Sequence, residues 1–259
     1  MDVLARFLGQ RLASQSKLLQ EFAVNLSIFG SVGVYYLFKW MHFIFGIVWI
    51  GHLYYFNFTQ MPSFAEMDGT TKSNNIQKLV PRALWWFRWG AMFTFITGLV
   101  MLMMWGHMNG HEVYKTSWGV NILTGSALAT IMFLNVWLVI WPNQKIVIAS
   151  ATAVAQGQPA LPEAAAAGSR AMLASRTNTL FSIPMLFFMG AASHLPLQVG
   201  PESNFGLLFL VLAVVLGAIE WNAVKGSKLG PLATVKGVIH AGLGLAVALY
   251  LLVEVLVRV

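Results

Sequence analysis

The 259-residue chain contains no cysteine. That excludes covalent c-type haem attachment, iron–sulfur clusters, thiolate metal sites and disulfides within it. Charge is nearly as scarce: only 10% of residues are Asp, Glu, Lys or Arg, against about a quarter in soluble domains. Acidic residues number nine against sixteen Lys and Arg, for a formal net charge of +7. A basic balance can signal nucleic acid, but here the cations are scattered between apolar stretches. That is the pattern of loop lysines and arginines in a membrane protein, and nucleic-acid binding is excluded on this ground. Residues 1–30 also lack the uninterrupted apolar core of a cleavable signal. Asp2, Arg6, Arg11, Lys17 and Glu21 interleave with Leu4, Phe7, Leu8, Leu12, Leu18 and Leu19, as in a helix lying on the membrane surface.

What the chain has in abundance is apolar sequence, 58% of its residues. Six stretches, 33–58, 83–105, 118–141, 178–197, 205–224 and 232–257, reach the roughly 20 residues a spanning helix needs. The expected fold is therefore all-α. It is a polytopic membrane protein with about six transmembrane helices in one domain, 33–259, preceded by an amphipathic interfacial segment, 1–32. Pro184 falls inside the fourth stretch and should kink it. The Ala-rich run 149–174 reads as a surface helix, and neither a second domain nor an internal repeat is evident. Loops 59–82, 142–177 and 225–236 hold nine Lys and Arg and the opposite side six. The positive-inside rule then puts both termini on the periplasmic side of a bacterial inner membrane.

Ionisable groups inside spanning helices are costly and usually functional. Here they are His42, His52, Arg88, His194, Glu220 and His240. A lone His near a helix end is ordinarily a hydrogen-bonded interface residue, but four at paired depths suggest ligation. His42 and His194 fall in the outer leaflet, His52 and His240 in the inner. Facing helices with His at one level are what b-type haem requires. One haem b with iron on His42 and His194 is expected, and a second on His52 and His240 is open. His42 and His52 are about 80° apart around a helix, so two haems would need different helix neighbours. Arg88, beside Trp85, Trp86 and Trp89, either snorkels toward headgroups or pairs with a haem propionate or an anion. Arg82, Arg88, Gln144, Arg176 and Asn178 collect at the inner face as a candidate pocket for a small anionic substrate. His107 and His111 in the outer loop could hold a metal, the basis of a copper-handling reading, although Gly106 and Gly110 disfavour the helix that would align them.

Three segments carry a resemblance: KWMHFIFGIVWIGHLYYFNF at 39–58, NVWLVIWPNQK at 135–145 and SRTNTLFSIPMLFFM at 175–189. Together they resemble the membrane domain of PuuD-type bacterial urate hydroxylases. The resemblance implies oxidation of urate to 5-hydroxyisourate, with electrons passed to a cytochrome c module. Since the chain stops at Val259 without a cysteine, a separate cytochrome c is the expected acceptor. The first segment also resembles the opening helix of HemJ-type protoporphyrinogen oxidases, a Lys-x-x-His followed by a Trp, matched by Lys39, His42 and Trp49. Asn135 stands where that family has a second His, so its enzymology is not carried over. The expected function is a membrane-bound haem redox protein. The alternative is a non-catalytic anchor or accessory subunit of a larger membrane complex.

Overall fold

The computed structural model describes residues 2–24 and 26–258. Eight helices form among them: α1 (Asp2–Val24), α2 (Ser31–Glu66), α3 (Gly69–Lys78), α4 (Val80–Asn109), α5 (Ser117–Ala155), α6 (Ala164–His194), α7 (Phe205–Lys225) and α8 (Val235–Arg258). In α1, Leu4, Phe7, Leu8, Leu12 and Leu19 recur at helical spacing and stay exposed.

Five helices, α2, α4, α5, α7 and α8, are long and apolar enough to cross a membrane, and the chain is a multi-pass membrane protein. The sixth expected span is the second half of α6, and α6 differs in kind. Its 31 residues would reach about 46 Å, yet Ser175, Arg176, Thr177, Asn178, Thr179 and Ser182 are all buried. These side chains are tolerated because α6 packs against α2, α5, α7 and α8, which shield it from lipid. The Ala-rich run is not one surface helix. Gly157 takes a φ of 77°, open to glycine and strained for other residues, and the chain turns there between α5 and α6.

Aromatic contacts and loop hydrogen bonds define two ends. At one, Tyr35 meets Trp105 and Trp105 meets Trp118, with ring centroids 5.1 and 5.4 Å apart. There too Leu197 N–H donates to Ser117 Oγ (2.6 Å) and Gly200 N–H to Val257 O (2.7 Å). This Tyr35 end gathers the start of α2, the α4–α5 and α6–α7 connections and the end of α8. The opposite, Asp68 end carries α3, the α5–α6 turn and the α7–α8 hairpin. At 1.5 Å per residue, the 36 residues of α2 and 39 of α5 span about 54 and 58 Å. A hydrocarbon layer is about 30 Å thick, so both helices continue well past it.

The antiparallel pairs α2–α4 and α5–α6 share a layout that the sequence reading missed. In α2 the helical ladder opens into a π turn at Tyr55–Gln60, just before Met61 and Pro62. In α5 it opens at Asn135–Ile140, just before Trp141 and Pro142. Proline has no N–H to give and its ring presses on the carbonyl four residues back, and a wider turn relieves both. The second helix of each pair carries Arg-Ala-Leu/Met-x-x-x-Arg, with Arg82 and Arg88 in α4, and Arg170 and Arg176 in α6. The contacts cross between pairs. The Arg88 guanidinium lies 3.5 Å from the Trp141 ring, and Arg176 Nη2 lies 3.7 Å from Met61 Sδ. The two first helices run in the same direction, the layout of a parallel repeat whose pseudo-twofold axis would follow the bundle.

Candidate functional site

His42 sits half-buried on α2 with Nδ1 3.1 Å from Thr97 Oγ1 on α4. The Thr97 hydroxyl is itself 2.6 Å from Phe93 O. A carbonyl only accepts, so the single hydroxyl proton is committed there and the imidazole must donate from Nδ1. Nε2 is left with its lone pair. A Cβ on Gly98 would stand 3.1 Å from His42 Cε1, so the ring rests on bare backbone of α4. About 15 Å further along α2, by helical rise, His52 repeats the device. Its Nδ1–H donates to Val48 O (2.7 Å), and Nε2 is again the free nitrogen. His52 lines a groove of about 560 Å³ between α2 and α4, together with Gly51, Tyr55, Arg82 and Trp86.

Both His42 and His52 lie against α4, the first at Thr97 and Gly98 and the second on the groove shared with Arg82 and Trp86. A rotation of about 80° stays within one packing seam, which is at least about 100° wide. His194 closes α6 and is exposed, and His240 is exposed on α8. The contacts in the structure join neither His42 to His194 nor His52 to His240. His107 ends α4 while His111 opens the short turn after it, and no group of three or more His, Asp or Glu forms a metal cluster among the described residues. A haem axial ligand needs an imidazole with a fixed tautomer and an unshared Nε2 pair, and His42 and His52 both fit that requirement.

The five residues expected in one anion pocket divide among four places. Arg82 is exposed on the His52 groove. Arg88 stacks on Trp141 and donates from Nε to Leu84 O (3.2 Å). Asn178 is fully buried and committed at both ends, accepting from Asn135 Nδ2 (3.0 Å) and donating to Met132 O (2.9 Å). Asn135 Nδ2 gives its other proton to Glu220 Oε2 (3.0 Å), which ties α5, α6 and α7 together. Gln144 is a wall residue of a cavity under α3, and Arg176 touches another wall residue, Met61.

Sequence reasoning overlooked Asn57, Gln60 and Ser175. Asn57 Nδ2 donates to Ser175 Oγ (2.8 Å) and Leu53 O (2.9 Å). The Ser182 hydroxyl donates to Thr179 O (2.7 Å), so Tyr54 O–H donates to Ser182 Oγ (3.0 Å). The usable signal was the pair of polar residues, Asn57 and Gln60, inside an apolar run just before Pro62. Outside the membrane, Asp68 caps α3 and accepts from Thr70 N–H and Thr71 N–H (2.9 Å each). Hydrogen bonds from Thr71, then Thr70, hold its carboxyl below the ordinary carboxylate range.

Residues 110–250, more than half of the chain, match the family model described as urate oxidase N-terminal. The match takes in α5 to α7 and most of α8, and leaves His42 and His52 outside it. No curated protein and no solved structure matches the chain. The buried polar helix α6 and the Asn135–Asn178–Glu220 chain lie within the matched stretch, and the protein belongs to the urate oxidase N-terminal family.

Proposed function

We propose that this protein is a membrane-bound b-type haem redox protein of urate hydroxylase-like function, delivering electrons to a periplasmic cytochrome c. The observation that carries the reading is the His42 imidazole, locked by Thr97 in the tautomer that offers Nε2. Bound there, haem supplies a one-electron couple. The chain's own contribution is to fix the ring against Gly98, keep its Nδ1 proton on Thr97 and surround it with apolar helix faces that exclude water. Arg82, on the His52 groove, would pair with a propionate of a haem held by His52, and Arg88, over Trp141, would be a second such partner. In the overall reaction urate takes up one water oxygen and releases two electrons and two protons to become 5-hydroxyisourate. The excess of Lys and Arg at the Asp68 end supports a cytoplasmic position for it, with the termini and the acceptor on the periplasmic side of a bacterial inner membrane.

The test is an optical and pyridine haemochrome assay of purified protein. Wild type should show b-type bands, and His42→Ala should lose them. Full haem content in the variant would overturn the assignment. The expected sixth ligand, His194, is read from the same spectra, since His194→Ala should turn a low-spin form high-spin. His52→Ala and His240→Ala report on the second haem in the same way. Protein without haem that copurifies with a stoichiometric large partner would instead favour the anchor reading, for which the Asn135–Asn178–Glu220 bonds would act as interhelical glue.

A further inference from the structure

The two hairpins enclose one cavity where they meet at the Asp68 end. Gln60, Leu84 and Phe87 line it from the first half, Ile140, Met172 and Ser175 from the second. These are equivalent positions. Gln60 and Ile140 each end a π turn, Leu84 and Met172 each follow Arg-Ala, and Phe87 and Ser175 each precede the second arginine. A cavity walled by the same positions of both halves lies on the pseudo-twofold axis. Its volume, about 330 Å³, is within the roughly 300–1,000 Å³ of ligand sites. Lys72 of α3, exposed to solvent, stands at its margin.

One wall residue, Gln60, has a buried Oε1 without a hydrogen-bond partner, and two residues that touch the wall from behind, Asn57 through Ser175 and Arg176 through Met61, have an Oδ1 and an Nη1 likewise unpaired. Native structures leave few such atoms, and each calls for a cause. Arg176 is only 5% exposed, and no carboxylate pairs with it among the described residues. Its twin shows what a satisfied arginine looks like in this fold. Arg88 is covered by the Trp141 ring at 3.5 Å, a cation–π contact. In the other half Met61 replaces that tryptophan, and Arg176 has a thioether at 3.7 Å and a free Nη1. A buried cation without a partner is strongly unfavourable unless a counter-charge arrives from outside.

We infer that the axial cavity binds a small planar anion, its charge paired by Arg176 and its N–H and carbonyl edges by Gln60 and Gln144. A guanidinium fork favours planar acceptors, the two glutamine amides both donate and accept, and Phe56, Phe64 and Phe87 supply flat apolar walls. The inference deepens the proposed function, since urate is one member of this ligand class, but it needs no haem.

Equilibrium binding to the full-length protein in detergent tests it with three probes. These are urate, hypoxanthine as an uncharged ring of similar shape, and inorganic phosphate as an anion that is not planar. Urate should bind, hypoxanthine at least about tenfold more weakly, and phosphate should not compete. Arg176→Lys should weaken urate at least about tenfold, because a point charge does not replace a fork. Arg170→Gln, an exposed charge on the same helix, should change it less than about twofold at ordinary ionic strength. Gly168→Leu guards against misfolding. A Cβ there meets only Val147 Cγ2 at 3.7 Å, leucine favours the helix, and its side chain should fill the cavity and abolish binding. Equal competition by phosphate, equal effects of Arg176→Lys and Arg170→Gln, or binding that survives Gly168→Leu would each overturn the inference. Urate binding by a protein that carries no haem would sink the redox proposal and leave this one standing. A haem protein that binds none of the probes would do the reverse.

Discussion

Replacing Thr97 with valine tests the His42 assignment without touching the imidazole. Valine keeps the shape of threonine and removes the oxygen that lies 3.1 Å from Nδ1. It also removes the hydroxyl proton given to Phe93 O, which stays bonded within its own helix. The loss therefore falls on His42, whose Nδ1–H is deprived of its hydroxyl acceptor in a half-buried seam. Such an orphaned group costs about 1–3 kcal/mol, which at about 1.4 kcal/mol per decade is roughly 5- to 150-fold in affinity. Losing the hydrogen-bond partner of a ligating His costs about 10- to 100-fold in comparable metal sites. The two estimates overlap at about 10- to 100-fold weaker haem retention. The assay is haem transfer from purified protein to excess apomyoglobin, followed optically, with wild type and His42→Ala as brackets. Thr97→Val should lose haem faster than wild type and still show b-type bands at saturation. Transfer at the wild-type rate would refute the claim that this hydroxyl fixes the ligand.

Three further outcomes follow from packing and electrostatics. Phe181→Ala, at a fully buried ring in the centre of α6, should lower the unfolding free energy by about 3–5 kcal/mol, and an unchanged thermal midpoint in detergent would contradict that packing. Asn135→Ala strands Glu220 Oε2 and Asn178 Oδ1 together and should cost about 1–3 kcal/mol. In the same protein Glu220→Gln should cost markedly less, because an amide still meets Asn135. The Asp68 carboxyl is held below its ordinary value, so its support of the first turn of α3 is present above about pH 4 and is lost as pH falls through the lowered folded value. Amide exchange at Thr70 and Thr71, relative to the intrinsic rate, should accelerate only in acid, and Asp68→Asn should abolish that dependence.

Composition made the helices legible because lipid imposes a simple rule: a run of about 20 apolar residues. Five of the six expected runs sit on helices that satisfy it. The polar ends were harder. The second half of α2 and of α5 leaves the hydrocarbon, so apolar length no longer marks the boundary, and α2 runs on to Glu66 and α5 to Ala155. The interior polar residues of α6 resembled a loop approach, since no periodicity reveals that a segment is covered by four neighbours. Within the candidate site, His42 was readable from residue type and depth. The environment of Asn178 was not, because a spacing cannot say whether an amide faces a ligand or two other side chains. The π turns add a further obstacle. Each inserts an extra residue into the helical register, so a wheel drawn through Tyr55–Gln60 places Asn57 and Gln60 on the wrong face. The repeat escaped notice because Pro62 and Arg82 are 20 residues apart whereas Pro142 and Arg170 are 28 apart.

The swapped Arg88–Trp141 and Arg176–Met61 contacts also bear on how such a protein can change. Two identical hairpins meeting around an axis would have to present every group twice, so any substitution improving one side would be imposed on the other. Joined in one chain, the copies are released from that constraint. One can devote its arginine to holding the scaffold together while the other leaves its arginine free, and one can keep imidazoles that its sister has exchanged for hydrocarbon.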